Sequence, residues 1–180
     1  MKKPVLAALS VLLLLALTAC GGSSKDKPKL DKEEKKVAKN IAQTFAQQSS
    51  GALTPKESSC FAQSFVDKVG LPELKKKKLI TEKGELNQTG ATFDKATSAK
   101  FADAFLGCVD YQKRQAEQIA KADKTVDAKK LEDCLREDLP TSFVKKLIVA
   151  SQTQSSDSTK LVDESTKKVT ACKTKATKKK

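Results

Sequence analysis

"KESSCFAQSFVDKVGLPELKKKKLI", Lys56–Ile80, is the stretch whose reading decides the fold. Phe61, Phe65 and Val69 recur every four residues, the spacing of one helical face. Just ahead, Thr54, Pro55 and Glu57 stand in the order of a capping box that opens on a proline. Gly70 suits the position just past a helix end. A short Lys-rich helix then carries Leu71, Leu74, Leu79 and Ile80 inward. "KKLEDCLREDLPTSFVKKLI", Lys129–Ile148, repeats the plan: a cysteine helix, then a short apolar helix with lysines. Each copy is followed by a polar loop and by a helix ending in cysteine, "KFADAFLGC" (100–108) and "STKKVTAC" (165–172). Matching Cys60 to Cys134 pairs Phe61 with Leu135 and Phe65 with Leu139. Matching Cys108 to Cys172 pairs Phe105 with Val169. The order reads as a degenerate duplication, about 54–111 and 127–172.

Outward from these halves the period stays helical. In "DKEEKKVAKNIAQTFAQQ", Val37, Ile41 and Phe45 form one stripe with Ala38 and Ala42 beside it, on an otherwise charged helix. Residues 82–91 read as a loop. A long helix is expected from about Phe93, running on to about Lys121, and Thr125 or Asp127 starts another. Pro140 opens "PTSFVKKLIVAS", and a last helix carries Leu161, Val162, Val169 and Cys172. No segment sustains β-alternation. The expected fold is all-α, a disulfide-stapled bundle over residues 32–172. A tether over 20–31 and a Lys-rich tail over 173–180 are expected to be disordered.

The composition narrows the chemistry. The chain has no histidine, which excludes Ser-His-Asp and Cys-His catalysis and any histidine metal site. Five cysteines are present, widely spaced and without a Cys-x-x-Cys pair, so neither a zinc site nor a thioredoxin-like motif is expected. The acids Glu132, Asp133, Glu137 and Asp138 cluster around Cys134 without the loop-like wrap that calcium needs. Asp67, Asp103 and Asp110 are scattered, and Tyr111 reads as core. No catalytic residue, metal or cofactor is expected.

The front end gives an address. Lys2 and Lys3 precede an apolar stretch, Val5–Leu17, broken only by Ser10, with small residues after it. This is the plan of a secretory signal, and it is short of the roughly 20 residues of a membrane span. "Leu17-Thr18-Ala19-Cys20" resembles the lipobox of bacterial lipoproteins. The resemblance implies a signal peptide over 1–19, cleavage before Cys20 and acyl chains on Cys20, with the domain lipid-anchored on the extracytoplasmic face of the cell membrane. Each buried CH₂ contributes about 0.8 kcal/mol, and two or three chains anchor stably where one does not. Removing residues 1–19 loses two lysines and no acid, lowering the formal charge from +13 to +11.

With Cys20 set aside, Cys60, Cys108, Cys134 and Cys172 make an even count in an exported chain, which points to two disulfides. If the halves are repeats, the simplest pairing is Cys60–Cys108 with Cys134–Cys172. The alternative, Cys60–Cys134 with Cys108–Cys172, would staple one half to the other. The helix-Cys, short helix, loop, helix-Cys order around "LGCVDY" also loosely resembles small four-cysteine helical domains of actinobacterial exported proteins, which implies a fold but no activity.

Candidate binding residues are basic: Lys75, Lys76, Lys77 and Lys78, and the tail residues Lys178, Lys179 and Lys180. They suit anionic lipid headgroups or cell-wall polymers. Export, and the lack of aromatics interleaved with the lysines, argue against nucleic acid. The function expected is a non-enzymatic binding or interaction module of the envelope, for an anionic polymer or a partner protein. The alternative is a carrier of a lipid or other apolar ligand within the bundle.

Overall fold

The computed structural model describes residues 28–49, 53–87 and 93–178, which form eight helices. They are α1 (Lys32–Gln48), α2 (Pro55–Val69), α3 (Leu71–Lys76), α4 (Lys95–Cys108), α5 (Tyr111–Ala122), α6 (Ala128–Asp138), α7 (Thr141–Gln152) and α8 (Asp157–Ala176). Outside them, two isolated β-bridges join Ile80 to Leu86 and Val126 to Thr177. The fold is an all-α bundle stapled by two disulfides.

Local chemistry sets the helix ends. Asp31 caps α1 and Glu34 returns the bond to the Asp31 N–H. Thr54 and Glu57 form the same reciprocal box at α2, with Pro55 in the first turn. Gly70, at φ +84°, joins α2 directly to α3, a conformation that favours glycine. The short helix stops at Lys76, earlier than its apolar pattern suggests. Lys78 takes a left-handed φ of 52°. The N–H of Leu79 then bonds Leu74 O and that of Lys78 bonds Lys75 O. This is a Schellman closure, and it brings Leu79 back into contact range of the core. Leu79 and Ile80 therefore reach the interior from an extended segment.

Three sequence boundaries need correction. The long helix expected through Lys121 is broken: Val109 is extended and buried, and Asp110 accepts the Lys113 N–H to start α5. The tail does not begin at residue 173, because α8 continues to Ala176. Ala176 is buried, its carbonyl accepts the Asp127 N–H, and the Lys178 N–H bonds Thr125 O. The tether does not extend to residue 31, since Leu30 is buried in the core and Asp31 is the α1 cap. Residues 1–27, which include Cys20 and the segment expected to be a signal, and Lys179–Lys180 lie outside the described residues.

The core comes in two clusters. The first joins α1–α4 around Ile41, Phe61, Phe65, Val66 and Leu74. The second joins α5–α8 around Leu131, Leu135, Leu139, Val144 and Cys172. The packing order is the same in both: α1 on α2 and α2 on α4, then α5 on α6 and α6 on α8. The half-repeats read as 54–111 and 127–172 thus each gain an opening helix, α1 and α5. Contacts between α4 and α7 join the halves. The bridges lie within halves, Cys60–Cys108 and Cys134–Cys172, with Cα–Cα distances of 5.7 and 5.6 Å. No helix among the described residues is long and apolar enough to cross a membrane.

Candidate functional site

Two lysines of the run expected to bind anions, Lys75 and Lys77, are held by the chain's own acids. Lys75 Nζ lies 2.6 Å from Glu33 on α1. Lys77 pairs with Asp94, contacts Glu73 at 3.0 Å and donates to Thr97 Oγ1 at 2.8 Å. The bond from Lys77, with those from Thr97, holds the Asp94 carboxyl well below the usual carboxylate range. These lysines stitch α3 to α1 and to the start of α4. Lys76 and Lys78 are exposed. Lys178 is exposed in side chain while its backbone is tied to Thr125.

The other acids are used in the same way. Glu57 takes a two-pronged bond from Arg114, at 2.9 and 2.5 Å, and a third from the Thr54 hydroxyl at 2.7 Å. Burial pushes the Glu57 carboxyl up, but the donors from Arg114 and Thr54 outweigh it and the net shift is downward. This pair links α2 of the first half to α5 of the second. Asp103 reaches Lys145 at 2.6 Å across the α4–α7 contact. Arg136 lies 2.6 Å from Asp110 and 2.8 Å from Glu132. Asp123 holds Lys173 at 2.8 Å and is lowered to about 2 by that bond and by Thr125. Asp67 is an exposed residue of α2.

At the second disulfide, Asp138 Oδ2 lies 3.3 Å from Cys172 Sγ and 3.7 Å from Cys134 Sγ. The three groups are close enough to suggest a metal-ligand set. Both sulfurs are bonded to each other, however, and offer no thiolate to a cation. Tyr111 is half-buried in the second cluster, and burial raises its hydroxyl pKa.

Two features were not read from sequence. The first is the outer face of α1. Lys32, Lys35, Lys36 and Lys39 are all exposed and form no ion pair among the described residues. In "DKEEKK", Glu33 and Glu34 sit among the lysines. Glu34 is turned back to the cap and Glu33 across to Lys75, which leaves the lysines uncompensated. The second is an open groove of about 460 Å³ between α1 and α2. Ala38, Ala42 and Ala46 line one side, Ser58, Ser59 and Gln63 the other, with Lys35 and Lys39 also on its wall. Ser58 is 1% exposed and its Oγ has no hydrogen-bond partner. Small residues on both helices leave this groove open, a pattern that the apolar period does not flag.

Phe61, Phe65, Phe101 and Phe105 pack on one another. Phe61 stacks on Phe65 at 5.6 Å and meets Phe101 edge-on at 4.9 Å. Phe45, from α1, closes over Phe61 at 4.5 Å.

Comparison with known protein families, curated proteins and solved structures finds no match to this chain.

Proposed function

We propose that the chain is an envelope lipoprotein, anchored through acyl chains on Cys20 at the extracytoplasmic face of the cell membrane, whose helical domain is a non-enzymatic binding module for anionic partners. The observation that carries the reading is the unequal use of charge. The carboxylates of Glu33, Glu57, Asp94, Asp103 and Asp123 are spent on contacts within the fold, while the α1 lysines face solvent unpaired. Each of these pairs cancels one charge of either sign, so the net positive charge is carried by unpaired lysines such as those of α1, and the outward field favours polyanions such as headgroups, wall polymers or an acidic envelope protein. The absence of histidine supports binding over catalysis.

Two experiments test this. Intact mass and detergent partitioning of the native-membrane protein report the anchor. A Cys20→Ser chain that is still processed and equally membrane-bound refutes it. Retention on purified anionic wall polymer or acidic vesicles, lost as salt rises, supports the binding module. Salt-independent or absent retention on both refutes it.

A second reading, carriage of a lipid or other apolar ligand, draws on the α1–α2 groove. Its volume falls within the range of small-molecule sites, about 300–1,000 Å³. The unpartnered Ser58 hydroxyl suits a ligand with a polar atom beside its chain. Saturable uptake of a fluorescent fatty acid, abolished by Ala42→Phe, is the outcome this reading requires.

A further inference from the structure

We infer that the outward face of α1 docks on the anionic lipid headgroups of the membrane that carries the protein, so that the domain rests with α1 against the bilayer. The location rests on the Cys20 anchor reading. The charge of the face does not.

At 3.6 residues per turn, Lys32, Lys35, Lys36 and Lys39 fall within an arc of about 100°. All four are exposed and unpaired among the described residues. The opposite side of α1 carries Val37, Ala38 and Ile41, which are buried against α2, so the lysine arc points away from the bundle. Neither acid of the first turn forms an ion pair with these lysines: Glu34 accepts the Asp31 N–H at 2.9 Å and Glu33 pairs with Lys75.

Chain length places this face near the bilayer. Seven residues lie between Cys20 and Pro28, the first described residue, and the eight steps span at most about 28 Å. Lys29 is exposed as well, and α1 starts at Lys32. The lysine arc is thus the part of the fold that emerges closest along the chain to the anchor. The surface potential of an anionic leaflet acts over a Debye length of about 8 Å. A lysine within that layer strengthens binding by about fivefold. Wall polymers carry the same phosphate chemistry, but lie on the far side of a tether that holds α1 to the membrane.

The experiment uses the chain from residue 20 onward with Cys20→Ser and both disulfides formed, so that no acyl chain contributes. Co-sedimentation is measured on vesicles of mixed phosphatidylglycerol and phosphatidylcholine, and on phosphatidylcholine alone. One variant combines Lys32→Gln, Lys35→Gln, Lys36→Gln and Lys39→Gln. A second removes the same charge from exposed positions of the other half: Lys124→Gln, Lys130→Gln, Lys160→Gln and Lys167→Gln. The α1 variant is expected to bind acidic vesicles at least about tenfold more weakly, and the control within about threefold of the parent. Arginine at the same four α1 positions should restore binding, which separates charge loss from misfolding. Equal losses in both variants overturn the inference, because net charge alone then explains binding. So does undiminished binding of the α1 variant, or binding that ignores phosphatidylglycerol. Loss of binding to purified wall polymer with vesicle binding intact also overturns it. A failed vesicle result leaves the Cys20 reading standing, and failed lipidation leaves the vesicle result standing.

Discussion

In the half built from α1–α4, Phe61 is enclosed by Phe45, Phe65, Phe101 and Phe105. In the half built from α5–α8, the equivalent interior is filled by Leu131, Leu135, Leu139 and Val144. The same order of helix contacts thus carries two kinds of core. Aromatic rings bury more surface each and add edge-to-face contacts worth about 0.5–1.5 kcal/mol beyond area. The aliphatic half has less of both, so its one disulfide and its ion pairs should make up a larger share of its stability. The end of its last helix, beyond Cys172, is fastened by Lys173 to Asp123 and by the backbone of residues 176–178 to residues 125–127. A shared scaffold therefore does not imply shared stability, and the two halves should fail differently.

The disulfides give the largest expected effect. They close separations of 48 and 38 residues. The chain-entropy account gives each about 4 kcal/mol, nearly equal. Paired replacement of Cys134 and Cys172 by serine should nevertheless cost the second half its hydrogen-exchange protection. The matching change at Cys60 and Cys108 should leave the phenylalanine core protected. Equal loss of protection in both halves would break the comparison.

Core truncation comes next. Phe61→Ala, at a fully buried ring with four aromatic neighbours, is expected to cost about 4 kcal/mol, and Leu135→Ala about 3 kcal/mol. Denaturant titration reads both. A larger cost at Leu135 would reverse the ranking of the cores.

The seam between the halves is the third target. Arg114→Ala leaves the Glu57 carboxylate, 16% exposed, without its charged partner, for an expected loss of about 2 kcal/mol. Because the folded pKa of Glu57 lies below its ordinary value of 4.5, its contribution is complete above that value. It fades as pH falls through the folded value. The two halves should therefore uncouple on the acid side, and Glu57→Gln should flatten that part of the stability–pH profile. An unchanged profile would place the acid sensitivity elsewhere.

The smallest effect concerns the turn that leans on α1. Gly84 sits at φ +76°, and a Cβ there would meet Val37 Cγ2 at 3.0 Å. Gly84→Ala should cost about 1–2 kcal/mol, seen as a lower melting temperature with the second half unaffected.

Much of this was legible in the residues. Fourfold spacing of Phe61, Phe65 and Val69, and the Thr54–Pro55–Glu57 order, fixed α2 at both ends. The matched order of four cysteines led to the observed pairing, because each cysteine helix and its partner belong to one half. Interruptions were harder to read. Val109 is apolar and fits a helical stripe, and only the competing cap at Asp110 divides α4 from α5. Lys78 carries no turn signal, yet it adopts the left-handed geometry because Leu79 gains burial by it. Which of the basic residues find a partner was hidden for a related reason. Charge along a sequence says nothing about which acid comes near, and Glu33 lies 42 positions from the lysine it meets.

That neither bridge crosses the seam has a mechanical consequence. A load applied between the front of the chain and Thr177 would pass through Cys60–Cys108 and Cys134–Cys172 as short covalent links. Fully unravelled, the segments they bypass would add about 170 Å and about 130 Å of slack, at roughly 3.5 Å per residue over 48 and 38 residues. In the oxidised protein that slack is withheld. A pulled domain would open at α1, at α5 and at the seam, then stop short, and reduction would turn the same chain into a much longer spring.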